Sequence, residues 1–243
     1  MMEKLIEVKN LVKKFGNFTA NKSLSFDVYK GEIFGFLGAN GAGKTTAMRI
    51  LCGLSKPTSG EVKVAGFDIY KDTEKIKQHI GYMSQKFSLY DDLTIAENIR
   101  FYGGIYGLSP KTIKEKIVEY IENLNLQEYE KSLVKALPLG IKQKLSFSVA
   151  VMHNPEIVFL DEPTGGVDPI TRRQFWDMIY QQANAGKTMF VTTHYMDEAE
   201  YCHRVSIMVD GEIVALDTPE NLKKLNHVNS IEELFLKVAR NIE

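Results

Sequence analysis

The chain predicts an α/β fold: a mixed, mainly parallel sheet covered by helices, with an N-terminal antiparallel β subdomain and an inserted all-helical subdomain. Three observations carry that reading. Apolar runs of strand length, "EIFGFLG" (32–38), "IVFLD" (157–161) and "TMFVTTH" (188–194), alternate with helical patterns, as βα units require. Near the N-terminus, the strand-like stretches 4–13 and 23–29 are separated by turn residues at Gly16-Asn17. From about Leu93 to Leu126 the apolar period becomes helical. There Ile95, Ile99, Tyr102 and Ile105 recur at three and four residues, and Ile113, Ile117, Tyr120 and Leu124 do so again.

Along the chain, a helix is expected from Lys44 to Leu54, and Lys56-Pro57-Thr58-Ser59-Gly60 turns into the hairpin-like return "EVKVAGFDI" (61–69). Ile80 to Ser84 is a short strand, and 140–152 continues the helical block. "TRRQFWDMIYQQANA" (171–185) is a helix stopped by Gly186, and "MDEAEYC" (196–202) is another. "RVSIMVDGEIVAL" (204–216) is a hairpin turned at Asp210-Gly211. In the closing helix "SIEELFLKVAR" (230–240), Ile231, Leu234, Phe235 and Val238 share one face, suited to packing on the same chain or on a partner. The expected division is a single domain over 1–243. Its core spans 1–90 and 153–222, the helical subdomain 91–152 and the tail 223–243.

A length of 243 residues can bury one substantial core. Thirty basic residues against thirty-one acidic ones leave a formal charge of −1, so there is no bulk attraction to nucleic acid or to an anionic membrane. No apolar run approaches the roughly 18–20 residues that span a bilayer, and "MMEKLIEVKN" lacks the apolar stretch of a secretory leader. Cys52 and Cys202 lie in apolar-patterned segments and read as buried thiols of a reducing compartment.

Chemistry concentrates at the strand ends. "GANGAGKTT" (38–46) follows a strand and opens a helix, the setting a phosphate-binding loop needs. Gly38, Gly41 and Gly43 let successive backbone N–H groups turn toward one anion, and the helix terminus adds its partial positive charge. Asn40, Ala42 and Thr46 belong to the same stretch; Lys44 would reach the β- and γ-phosphates, and the Thr45 hydroxyl would ligate Mg2+. "IVFLDE" ends a buried strand in two carboxylates, an expensive arrangement without a cation or hydrogen bonds. Asp161 is the candidate metal ligand and Glu162 the candidate base that orients or deprotonates a water. Gln85 and His194 also terminate apolar runs, on the side where open parallel sheets bind ligands. Gln85 could meet a metal or water, and His194 a terminal phosphate. Phe15, before Gly16, suits either stacking on a base or the core.

These motifs, in this order, resemble the nucleotide-binding subunits of ATP-binding-cassette transporters over nearly the full chain: "GANGAGKTT", "YMSQ" as Q-loop, "IVFLDEP", "TGGVDP" as D-loop with Asp168, and "TTH" as switch histidine. The resemblance implies a P-loop NTPase core, ATP with Mg2+, Phe15 on the adenine, and two cassettes closing head to tail over two ATP molecules. Each nucleotide would then meet the partner's signature, usually Leu-Ser-Gly-Gly-Gln. Here that stretch is Leu137-Pro138-Leu139-Gly140-Ile141, which lacks the serine hydroxyl and one backbone donor, and Gly140 is left as the expected contact. Gly165 stands where the D-loop usually has serine.

"SLYDDLTIAENIRFYGGIYGL", "DEPTGGVDPITRRQFW" and "THYMDEAEYC" look like the exporter branch that moves drugs, antibiotics or polysaccharides. The resemblance therefore implies an ATPase that partners an integral-membrane permease from the cytoplasmic face, as a homodimer or with a paralogous cassette. Two alternatives stand beside it. A soluble non-transport cassette is one, though no long coiled coil separates Lys44 from Gly140. A binding-only regulatory cassette with a degenerate signature is the other, though Lys44, Asp161, Glu162 and His194 are all retained.

Overall fold

A computed structural model describes residues 3–85 and 89–240. The parts of the expected core and tail at 1–2, 86–88 and 241–243 lie outside the described residues. Two sheets form the α/β body. A six-stranded sheet runs β10-β9-β3-β8-β7-β6, where β3 is Ile33–Gly38, β6 Ile80–Met83, β7 Ile157–Asp161, β8 Thr188–Thr193, β9 Arg204–Val209 and β10 Glu212–Asp217. Strands β6, β7, β8, β3 and β9 are parallel, and β10 returns antiparallel to β9. Every residue of β3, β7 and β8 is buried, as strands covered on both faces must be.

The second sheet, antiparallel, has the order β2-β1-β4-β5, with β1 Lys4–Phe15, β2 Phe18–Tyr29, β4 Ser59–Val64 and β5 Phe67–Asp68. Its first two strands outrun the sequence expectation and meet at a two-residue turn, so Phe15 pairs with Phe18 across it. Ala65-Gly66 and Asp210-Gly211 both adopt positive φ, the conformation that matches hairpin turns to the strand twist.

Between the sheets lies an aromatic core of Phe26, Phe34, Phe36, Phe159 and Phe190. The other face of the large sheet carries Phe147, Phe175 and Trp176 from two helices, α5 (Leu139–Val151) and α6 (Pro169–Asn184). Of the earlier helices, α1 spans Lys44–Leu51 and α2 Thr73–His79. The first stops three residues short of the expected Leu54, and the second was not foreseen. Helices α3 (Ile95–Ile105) and α4 (Pro110–Asn123) pack with α5 around Ile95, Ile99, Tyr120 and Leu145, a core of their own. Thr94 and Glu97 start α3 with a reciprocal capping box, and Ser109 with Pro110 starts α4.

The expected helix at "MDEAEYC" is a 3-10 helix, Met196–Tyr201. It leads to β9, and the chain ends in α7 (Pro219–Asn226), also unforeseen, and α8 (Ile231–Arg240). Ile231 and Leu234 are buried in the same cluster as Ala199 and Cys202, so the tail packs on its own chain. Among the described residues no helix is long and apolar enough to cross a membrane.

Candidate active site

The carboxyl ends of β3, β7 and β8 converge with the start of α1. The loop between β3 and α1 uses glycine where nothing else fits. Gly43 has φ +100°, and a Cβ there would lie 2.4 Å from the Ala20 carbonyl. Two neighbours brace the loop from behind. The buried Asn21 amide donates to the Gly43 carbonyl at 3.1 Å, and the Gly211 N–H donates to Ala42 O at 3.1 Å. Gly38 packs against the Met208 backbone. Gly38 and Ala42 therefore shape the loop, while Asn40, Gly41, Gly43, Lys44, Thr45 and Thr46 line the cleft it opens.

Lys44 is 3% exposed, and its ammonium donates to Gly38 O at 2.8 Å and Ala39 O at 3.0 Å. Burial pulls it below the ordinary lysine range, against the opposing pull of Glu162, whose Oε1 lies 3.5 Å away. The two adjacent acids are held differently. Asp161 Oδ1 accepts from the Thr45 hydroxyl at 3.1 Å and the Thr192 hydroxyl at 2.7 Å. Burial nonetheless pushes Asp161 above the usual carboxylate range, and the two hydroxyl bonds offset only part of that.

Glu162 turns into the left-handed region, φ +48°, an uncommon and strained conformation for a non-glycine residue. Its N–H is pinned by Thr192 O at 3.1 Å and Thr192 Oγ1 at 3.0 Å. The turn aims its carboxylate into the cleft. Gln85 Nε2 donates to Glu162 Oε2 at 2.9 Å, and His194 Nδ1 lies 3.0 Å from the same oxygen. Lys44, Gln85, Glu162 and His194 thus meet at one carboxylate, beside the Thr45–Asp161 pair.

Phe15 projects at the cleft mouth, 55% exposed, with Lys13 Nζ 4.9 Å from its ring centroid. Sequence reasoning missed Phe18, which lines the same mouth, and Thr192, which serves both acids. Phe18 was legible as the residue paired with Phe15 across a two-residue turn. Thr192 was legible only as a polar residue at the end of an apolar strand.

Gly140 and Asp168 lie elsewhere. They line a separate depression with Pro138, Leu139, Ile141, Lys144, Gly166, Val167 and Thr171, none of which borders the phosphate-loop cleft. Asp168 is occupied as the cap of α6, accepting from the Ile170 and Thr171 N–H groups at 3.0 Å each. Pro138 caps α5 at φ −55° and gives it no side-chain bond. A Cβ on Gly140 would meet its own chain's Thr171 Cγ2 at 2.6 Å, so the glycine is required first by helix packing.

The donor set suits Mg2+. The exposed Thr45 hydroxyl and the buried Asp161 carboxylate sit at the foot of a phosphate loop, and Mg2+ is usually held by one or two carboxylates together with substrate phosphates. Among the described residues no group of three or more His, Cys, Asp or Glu forms an all-protein cage.

Residues 21–165 match the pattern of the ABC transporter family. The probable multidrug ABC transporter ATP-binding protein YbhF of Escherichia coli (strain K12) is 49% identical over 91% of this chain, which spans 38% of that protein's length. The linearmycin resistance ATP-binding protein LnrL of Bacillus subtilis (strain 168) is 37% identical over 98% of this chain and 79% of its own. Among solved structures, an ATP-binding subunit of an ABC transporter superposes with a TM-score of 0.86 at 26% identity, covering 96% of this chain and 98% of that one. A dimeric, post-hydrolysis ATP-binding cassette bound to ADP and Pi gives 0.79 at 26% identity, covering 88% and 98%. With more than half of its length matching the family pattern and a near-full-length relative at 37% identity, the chain belongs to the ABC transporter family as an ATP-binding cassette.

Proposed function

We propose that the chain hydrolyses ATP to drive an integral-membrane exporter, closing as a dimer of cassettes over two nucleotides. The observation that carries the reading is the Glu162 carboxylate, approached by Gln85, His194 and Lys44 beside the Thr45–Asp161 pair. A binding-only cassette would have no need of it. The reaction is phosphoryl transfer to water, in which positioning and charge neutralisation do most of the work. Backbone N–H groups at Gly41 to Lys44 and the α1 terminus hold the phosphates. The buried Lys44 ammonium neutralises them at short range, and Phe15 and Phe18 offer the base a ring surface.

Glu162, kept directional by Gln85 and His194, orients the attacking water and accepts its proton. In this reading His194 hydrogen-bonds the terminal phosphate. Thr45 and Asp161 would hold Mg2+, which when bound neutralises charge on the β- and γ-phosphate oxygens. Closure brings the Gly140 face of the second cassette over the nucleotide and excludes water.

Names among the relatives, multidrug and linearmycin resistance, support export of drug-like or antibiotic cargo. A separate permease is the fitting partner, with the chain on the inner face of the membrane. Glu162→Gln is expected to abolish turnover while retaining ATP, giving a dimer detectable by light scattering. Wild-type phosphate release by that variant overturns the assignment.

A further inference from the structure

We propose that Thr164 and Glu198 are positioning residues that form a second cross-link between the segments leaving β7 and β8, behind the Glu162–His194 contact. The proposal rests on the reading of Glu162 and His194 as the hydrolytic pair. The two strands are parallel neighbours in register Asp161↔Thr192, so their exits begin side by side. Two residues past Glu162, Thr164 is fully buried and its hydroxyl donates to Glu198 Oε1 at 2.5 Å. Glu198, four residues past His194, is fully buried as well. Glu162, Thr164, Glu198 and His194 therefore close a ring of two backbone segments and two side-chain contacts.

Arg172, in the first turn of α6, braces the ring from outside. Its guanidinium lies 4.1 Å from the Tyr195 ring centroid, with Nε 3.8 Å from Glu198 Oε1 and Nη1 3.4 Å from Asp197 Oδ2. Tyr195 in turn lies against the His194 imidazole, centroids 4.2 Å apart. A carboxylate with no exposure is costly unless bonded and paired, and an apolar side chain would fill the space as well. What the carboxylate adds is direction. The same stretch is keyed to α5, because Gln143 Nε2 donates to Gly165 O at 3.0 Å and Gly165 N donates to Glu162 O at 3.1 Å. The cluster thus fixes a cassette's own hydrolytic pair relative to the face, Gly140 to Asp168, that it would offer its partner.

The test compares Thr164→Val, an isostere without the hydroxyl, with Thr164→Ser in the full chain. Valine is expected to lower kcat for ATP about tenfold, the worth of one buried hydrogen bond, and to leave KM unchanged because the phosphate loop is untouched. It should also raise amide hydrogen exchange across residues 194–201, while serine keeps both near wild type. If valine does not fold, Thr164→Ala gives the same comparison. Wild-type kcat, or unchanged exchange at 194–201, in the hydroxyl-free variant overturns the proposal. Glu162→Gln in the same assay separates the two claims: wild-type turnover there defeats the hydrolytic reading, and the exchange measurement alone then decides whether Thr164 ties the segments together.

Discussion

Asp161 and Glu162 are sequence neighbours with opposite situations. Asp161 is buried behind two hydroxyls, and its raised pKa means that the native state holds a proton more tightly than the unfolded chain does. Its contribution to stability is therefore lost as pH rises from the unfolded value through the raised native one, and above that window the ionised group is a net burden on the fold. Asp161→Asn keeps Oδ1 as the acceptor for both hydroxyls and removes the charge. At neutral pH its melting temperature is expected to equal or exceed that of wild type, with a flatter pH dependence above the ordinary carboxylate range. Under the proposed function, ATP turnover should fall about a hundredfold or more through loss of the proposed metal ligand. A melt clearly below wild type would show that the charge is not a burden. Both acids were legible from "IVFLDE", because a buried strand rarely ends in paired carboxylates without a task. Thr164 and Glu198 were not, since their meeting depends on two segments 34 residues apart in the chain.

Elements were readable where their apolar residues recur often enough to define a period. The helices from 95 to 123 show several repeats each. By contrast, α2 buries a single residue, Ile76, and α7 only Pro219 and Leu222, too few to set a phase. Strand ends were underestimated because Lys14 and Asn21 interrupt the apolar pattern while the backbone pairing continues. The α5–α6 contact yields a prediction of its own. Gly140→Ala forces a Cβ toward Thr171 Cγ2, a small-to-large change that costs about 1–3 kcal/mol. The melting temperature should drop by roughly 2–12 °C, at about 2–4 °C per kcal/mol for a domain of this size. Thr171→Ser removes Cγ2 and keeps the hydroxyl that donates to Asp168. The double variant is expected to recover stability, and recovery of turnover with it would assign the loss to packing, whereas recovery of stability alone would support Gly140 as the nucleotide contact. Pro138 stands at the N-cap with φ −55° and gives α5 no side-chain hydrogen bond, so the missing serine costs the helix about 1 kcal/mol.

At the scale of the molecule, the phosphate-loop cleft and the Gly140–Asp168 depression share no lining residue. Under the proposed function a closed pair of cassettes completes each site from two chains, and this can be tested by mixing. Lys44→Ala chains and Leu139→Arg chains are each expected to be inactive alone. Mixed and allowed to pair at random, half of the dimers carry one intact site, so turnover should return to about a quarter of wild type. No recovery would mean that a single chain supplies its whole site. The cassette fold itself was legible from motif order. The bracing of the loop by Asn21 and the β9–β10 turn was not, because those contacts join distant segments. The Lys44–Glu162 pair has one last consequence. The lysine meets an acid of its own chain at 3.5 Å, so the cation that the proposed function assigns to the phosphates is the ion-pair partner of the carboxylate that it assigns to the water. Under that reading the two roles are coupled: removing either charge leaves the other buried without its counterion.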